Sequence, residues 1–155
     1  MIHKLSAQDF DEPEYSLFAI HSALEDYHLA YCINRELSLK LRKNPEALLI
    51  SARAGEATFS RFTFYNEKQD TGWDLIQNKQ ELATAGIGDG FFSGMAMSST
   101  AYLLPEFSKV DYFLKIENPN GGIPSLTQKL KKIDRVSAAY VVERTRIKSK
   151  NHLIF

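Results

Sequence analysis

The sequence predicts an α+β fold in which a mostly antiparallel sheet carries two helices on one face. Three observations lead to this prediction: two amphipathic helical segments, several short apolar runs rich in β-forming residues, and one clear hairpin pattern. A helix between strands has one apolar face, and it buries that face by lying against a sheet. The order β-α-β, hairpin, β-α-β makes a ferredoxin-like arrangement the nearest familiar topology.

The first strand and the first helix have the clearest patterns. Tyr15–Ser22 is a short apolar run, which predicts a strand. The next segment, 25–37, repeats Leu29, Ile33 and Leu37 every four residues, which predicts a helix with one apolar stripe.

The remaining elements follow from the same rules. Thr58–Tyr65 alternates apolar and polar residues and predicts a half-buried strand, with Trp73–Asn78 as the returning strand of a hairpin. Further along, we expect a strand over Val110–Ile116, a helix over Pro124–Ile133 and a strand over Val136–Glu143.

Length and composition predict one domain over residues 1–155. The chain is 44% hydrophobic and 25% charged, with zero formal net charge, as in an ordinary globular protein. It has no apolar run near the ~20 residues that cross a bilayer and no apolar core of a signal peptide. The single cysteine, Cys32, cannot form an internal disulfide. We therefore expect a cytoplasmic protein with no membrane partner.

Residues at about 80–100 are rich in glycine and serine, which predicts a flexible insertion. The Gly86–Gly90 stretch superficially resembles a phosphate-binding loop, but it lacks the following helix and the lysine of that motif. The segment is either functional or merely an insertion.

The stretch Leu104-Pro105-Glu106-Phe107-Ser108-Lys109-Val110-Asp111-Tyr112 resembles the signature of the IPExxxVDY family of bacterial proteins, with leucine in place of the first isoleucine. Three further blocks are similar to that family: the helix from Asp26-Tyr27, the pair Asn78-Lys79, and the closing Asn151–Phe155. The glycine-rich stretch is longer than the family usually carries, which favours the insertion interpretation. The resemblance implies no particular chemistry.

The signature itself has two interpretations. Glu106 and Asp111 could act as paired carboxylates, with Tyr112 as an acid or hydrogen-bond donor. In the structural interpretation, Pro105 directs the chain, Glu106 serves the free N–H groups of a short first turn, and Asp111 binds backbone at a strand entrance.

One other pair has the spacing of metal or catalytic residues. His28 and Cys32 lie four residues apart and share a helix face. No second cysteine and no metal-binding motif supplies further ligands, so we predict neither metal nor cofactor. Cys32 is most simply a small core residue.

The C-terminal region is strongly basic. Residues 129–150 contain eight basic and two acidic residues, while residues 1–34 contain one basic and six acidic residues. Arg144, Arg146, Lys148 and Lys150 alternate, so on an extended chain they would all point one way. Such a row could bind phosphates, or it could keep an edge strand soluble.

Our leading hypothesis is a non-catalytic binding module that acts through this basic face or through the apolar tail, Leu153-Ile154-Phe155. The partner would be a protein or a second copy, with nucleic acid less supported. The alternative is an enzyme or small-ligand-binding protein with a site near Glu106, Asp111 and the glycine-rich segment. A structural homodimer is a third hypothesis.

Overall fold

The computed structural model describes residues 14–52, 55–83 and 98–155. Its elements in chain order are β1 (Tyr15–Ser22), α1 (Asp26–Leu37), β2 (Arg42–Lys43), β3 (Leu48–Ala52), β4 (Gly55–Phe59), β5 (Arg61–Asn66), β6 (Thr71–Gln77), β7 (Lys79–Ala83), β8 (Ser98–Tyr102), β9 (Tyr112–Glu117), α2 (Ile123–Lys132) and β10 (Val136–Val141). Short 3-10 helices span Pro105–Phe107, Arg144–Arg146 and Lys150–Leu153. Within these residues, no helix is long and apolar enough to span a membrane.

The main sheet has six strands in the order β10-β1-β9-β6-β5-β2, and every neighbouring pair is antiparallel. The elements β1-α1-β6-β9-α2-β10 therefore form the split β-α-β unit of ferredoxin-like folds, extended at one edge by β5 and β2. The predicted α+β class with a mostly antiparallel sheet is confirmed. Two further hairpins, β3–β4 and β7–β8, form small sheets of their own.

Both faces of the main sheet are covered, and each face has its own core. Side chains along a strand alternate between the two faces, so neighbouring residues of one strand belong to different cores. Phe18 and Ile20 of β1 pack with the apolar stripes of α1 and α2 in one core. Leu17 and Ala19, one position away, belong to a second core on the opposite face, which the hairpins and the C-terminal residues cover. The central strands are consequently apolar on both sides, and Tyr112–Ile116 is buried throughout.

The predicted strand Thr58–Tyr65 is wrong in one respect, because it is two strands. Phe59, which interrupts the alternation, is the last residue of β4 and is buried in the hairpin-side core. Phe62 belongs to β5 and is buried in the helix-side core. The irregularity in the pattern marks the place where the chain passes from one sheet to the other.

The predicted flexible segment at about 80–100 is also partly wrong. Its ends lie in β7 and β8, which pair from Lys79 opposite Tyr102 to Ala83 opposite Ser98. The glycines that prompted the prediction, Gly86, Gly88, Gly90 and Gly94, lie outside the described residues.

Candidate functional site

The signature loop is organised around a buried amide. Asn78 follows β6 and is completely buried. Its Nδ2 donates to the carbonyl oxygens of Phe107 and Val110, each at 2.9 Å, and its Oδ1 accepts from the Leu104 N–H at 2.9 Å. A buried amide needs both donors and its acceptor satisfied, and these three bonds satisfy them. Asn78 therefore holds the signature loop in its compact shape.

Glu106 joins the signature to the C-terminal part of the chain. Its carboxylate accepts the Lys148 N–H at 2.5 Å, the Ser149 N–H at 2.7 Å and the Ser149 hydroxyl at 2.9 Å. Burial opposes ionisation, but its own N–H together with the Ser149 and Lys148 donors outweighs burial and lowers the pKa of Glu106. We call this arrangement the Glu106 clasp.

Asp111 and Tyr112 join the signature to the end of β1 and the start of α1. Asp111 accepts the Ser22 N–H at 2.9 Å and forms an ion pair with Lys79 at 3.4 Å. The Tyr112 hydroxyl donates to the Leu24 carbonyl at 2.5 Å, and burial raises the pKa of Tyr112. The Asp111 bond agrees with the structural interpretation, in which this carboxylate binds backbone at a strand entrance.

The two carboxylates of the signature thus bind backbone at different places. Glu106 binds the C-terminal segment and Asp111 binds the end of β1. Pro105 begins a 3-10 helix, while Leu104 and Val110 are buried in the hairpin-side core. The signature connects three parts of the fold, and sequence analysis did not identify Asn78 as its centre.

The basic residues do not form the row that an extended chain would give. Arg144–Arg146 is a 3-10 helix, and Lys150 begins another. The prediction that all four side chains point one way is therefore wrong. Arg144, Arg146, Lys148 and Lys150 are nevertheless all exposed.

Two aromatic rings support the arginines. The Arg144 guanidinium carbon lies 4.4 Å from the ring centroid of Tyr15, and that of Arg146 lies 6.0 Å from the ring centroid of Phe107. Between them and the lysines, Ile147 is buried in the hairpin-side core. We call residues 144–150 the basic segment.

The apolar tail mainly covers the core. Leu153 is buried, and its carbonyl oxygen accepts a 2.6 Å hydrogen bond from the buried ammonium group of Lys115. The Phe155 ring lies 4.3 Å from that ammonium group. His152 donates from Nδ1 to the Leu103 carbonyl at 2.7 Å. Ile154 is the exposed member of the tail.

The structure also contains a buried charged group that sequence analysis missed. Asp74 of β6 lies opposite Lys115 of β9 and forms a 3.2 Å ion pair with Arg61. Burial raises the pKa of Asp74 to about 6, although Arg61 and Lys115 act to lower it. The sequence does contain a signal for this pair, because Asp74 and Lys115 are charged residues that each interrupt an apolar strand.

A cavity of about 370 Å³ lies beside the first turn of α2. Trp73, Ile116 and Leu126 supply apolar lining, and Thr71 and Lys129 supply polar groups. Neither Glu106 nor Asp111 lines this cavity, so it does not coincide with the ligand site that the sequence suggested.

The His28 and Cys32 pair lies on α1 as the spacing predicted. His28 is exposed and stacks beside Tyr27, whereas Cys32 is half-buried against the helix-side core. Within the described part of the chain, no three His, Cys, Asp or Glu residues are placed to hold a metal ion.

Comparison with protein-family models gives no match for this chain. A search of curated proteins gives no match either. The family suggested by the signature therefore stays a prediction.

Proposed function

We propose that this protein is a non-catalytic binding module that recognises an acidic protein surface through its basic segment. The observation that supports the proposal most is that exposed cations stand on a firmly anchored piece of backbone. Within the described residues, none of the side chains of Arg144, Arg146, Lys148 and Lys150 forms an ion pair.

The anchoring has three parts. The Glu106 clasp holds the backbone at Lys148 and Ser149, burial holds Ile147, and Lys115 holds the Leu153 carbonyl just beyond the segment. A segment fixed in this way loses little conformational entropy when a partner binds.

The clasp also leaves the cations available. The Glu106 carboxylate binds two backbone N–H groups and a hydroxyl of the segment, not its lysine or arginine side chains. Its negative charge is therefore used for folding, and the side-chain charges face solvent.

An acidic protein fits this surface better than a nucleic acid. Proteins that bind single strands stack bases on exposed aromatic rings. Here the neighbouring rings of Tyr15 and Phe107 already pack against Arg144 and Arg146. The chain as a whole has zero formal net charge, which does not favour a polyanion.

The alternative of an enzyme or ligand site near Glu106 and Asp111 has less support. Both carboxylates already accept backbone hydrogen bonds, and that bonding accounts for their positions without a substrate.

The test is affinity purification from the native cells, with and without nuclease. A triple variant, Arg146→Glu, Lys148→Glu and Lys150→Glu, replaces three of the four basic side chains of the basic segment with acidic ones. Arg144 is left in place because it packs on Tyr15. The matched control makes the same charge change on α2, at Lys129, Lys131 and Lys132, which are exposed.

We expect nuclease-resistant protein companions that the triple variant loses and the control keeps. Those companions should bind the purified protein directly, and added salt should weaken the binding. Companions that survive the triple variant, or that disappear equally with the control, would contradict the proposal. A nuclease-sensitive set would replace the acidic protein with a nucleic acid.

A further inference from the structure

The cavity beside the first turn of α2 has an apolar floor. Trp73 of β6 and Ile116 of β9 lie opposite each other in the sheet, and both are buried and line the cavity. Leu126 of α2 adds an apolar wall. The volume of about 370 Å³ lies within the range of about 300–1,000 Å³ that small-molecule sites occupy. At about 30 Å³ per water molecule, the cavity has room for a molecule of roughly a dozen non-hydrogen atoms.

The charge at the rim of the cavity has one sign. Ser125 and Lys129 lie four residues apart on α2, so they share a helix face, and both line the cavity. Among the described residues that line it, none is acidic. Lys129 is exposed, and it forms no ion pair within the part of the chain that the structure describes. This ammonium group is therefore available to an anion.

The acidic side chains that are close to the cavity in sequence are bound elsewhere. Asp70 accepts a hydrogen bond from the Tyr65 hydroxyl. Glu117 forms a 3.0 Å ion pair with Lys115. Neither Asp70 nor Glu117 lines the cavity, so neither carboxylate neutralises Lys129 there.

Trp73 also provides an unused hydrogen-bond donor. Its indole N–H donates to no acceptor within residues 14–52, 55–83 and 98–155. The N–H is not fully enclosed either, because in those ranges the one enclosed side-chain N or O atom without a partner is Ser99 Oγ. Trp73 is only 8% exposed, and it borders the cavity. A buried donor without a partner is the kind of group that a polar ligand atom satisfies.

We propose that this cavity binds a small monoanion with a flat apolar body, of the class of aromatic carboxylic acids. The apolar body lies on Trp73 and Ile116 beside Leu126, and the carboxylate lies at the rim with Lys129 and Ser125. A neutral molecule of the same shape loses the charge-assisted bond to Lys129. A bare anion loses the burial of apolar surface. Both parts of the ligand therefore contribute to binding.

The inference does not depend on the proposed function. Trp73 and Ile116 belong to the helix-side core, whereas Ile147 of the basic segment belongs to the hairpin-side core on the other face of the sheet. A chain that binds no small anion could still bind an acidic protein through the basic segment. The two tests therefore fail separately.

The test uses the fluorescence of Trp73, which is the single tryptophan of the chain and therefore reports on this cavity. The probe is hydrocinnamate, a phenyl ring joined to a carboxylate by a short methylene linker. We expect it to change the fluorescence of the full chain with a dissociation constant of about 1 mM or tighter, and calorimetry should give the same value. Two related compounds separate the parts of the probe. Hydrocinnamamide keeps the ring without the charge, acetate keeps the charge without the ring, and each should bind at least about tenfold more weakly.

Two lysine variants test the assigned position of the charge. Lys129→Met keeps a long side chain and removes the ammonium group, so we expect it to bind hydrocinnamate at least about tenfold more weakly and hydrocinnamamide as before. Lys131→Met is the matched control, because Lys131 is exposed on the same helix and does not line the cavity. This control should bind hydrocinnamate like the original chain, and the circular dichroism spectrum of both variants should be unchanged.

Each of three results would overturn the inference. The first is an original chain that binds no hydrocinnamate at concentrations up to about 10 mM. The second is equal binding of the acid and the amide, which would show that the site does not recognise the charge. The third is a Lys131→Met variant that loses as much affinity as Lys129→Met, which would show that only the general positive charge of α2 attracts the probe.

Discussion

The Glu106 clasp makes a prediction whose size can be worked out from its bonds. Glu106→Ala removes one carboxylate and leaves the N–H groups of Lys148 and Ser149 without their acceptor. A hydrogen bond to a charged group contributes about 1.5–3 kcal/mol, with the lower end fitting this partly exposed site. Two such bonds and the bond from the Ser149 hydroxyl, partly replaced by water, give a loss of about 3 kcal/mol.

The measurement is urea denaturation of the variant and the original chain at neutral pH. For a chain of this size, about 3 kcal/mol corresponds to a melting temperature lower by roughly 6–12 °C. Glu106→Gln keeps one acceptor oxygen but no charge, so its loss should be smaller. Glu67→Ala removes an exposed carboxylate in the β5–β6 turn and serves as the control, which we expect to stay within about 0.5 kcal/mol of the original chain.

The pH dependence gives a second measure of the same clasp. The pKa of Glu106 is lowered from its ordinary value of 4.5, so its stabilising effect is present above pH 4.5 and is lost as pH falls through the lowered pKa. The free-energy difference between the original chain and Glu106→Gln should therefore shrink in acid.

Hydrogen exchange tests whether the clasp is local. The amides of Lys148 and Ser149 should exchange faster in Glu106→Ala. The exchange rates of amides in the central strand β9 should change only as far as the free energy of global unfolding changes. If the two amides keep their protection and the free energy of unfolding changes by less than about 0.5 kcal/mol, the clasp does not hold the basic segment.

Three further residues allow similar tests by urea denaturation. Asn78→Ala leaves one buried N–H and two carbonyls without their partner, so we expect a loss of about 4 kcal/mol, and a loss below about 1 kcal/mol would contradict the role assigned to Asn78. Tyr112→Phe removes the hydroxyl that bonds Leu24 and should cost about 1–1.5 kcal/mol, with unchanged stability as the contrary result. Asp74 has a pKa of about 6 in the fold against an ordinary 3.8, so lowering the pH from 6 to 3.8 should stabilise the original chain relative to Asp74→Asn by at most about 3 kcal/mol, and a difference that is flat with pH would show that the pKa is not raised.

Elements with a clear local pattern of apolar residues could be predicted from sequence. The strand Tyr15–Ser22 has the predicted bounds, and the helix predicted over 25–37 spans Asp26–Leu37. Each has a local signal: a short apolar run in the first, and apolar residues four apart in the second. The strand predicted over Val136–Glu143 ends slightly earlier, at Val141, and a 3-10 helix begins at Arg144.

The small hairpins could not be predicted in the same way, because their burial depends on contacts with distant strands. Ile50 of β3 and Phe59 of β4 are buried only because they cover the second face of the main sheet. The segment 45–56 has no regular apolar period, and nothing in it indicates that an adjacent sheet needs covering. Local pattern reasoning therefore assigned one strand to residues that belong to two sheets.

The candidate site shows a different limit. Glu106 and Asp111 are acidic residues in a motif, a pattern that suits catalysis and backbone capping equally well. Only the fold shows that Ser149 and Ser22, both far away in sequence, present N–H groups to them. Because these carboxylates accept hydrogen bonds from backbone N–H groups, the motif holds distant segments of the chain together. The proposed recognition therefore uses side chains outside the motif, those of the basic segment, whose backbone Glu106 anchors at Lys148 and Ser149.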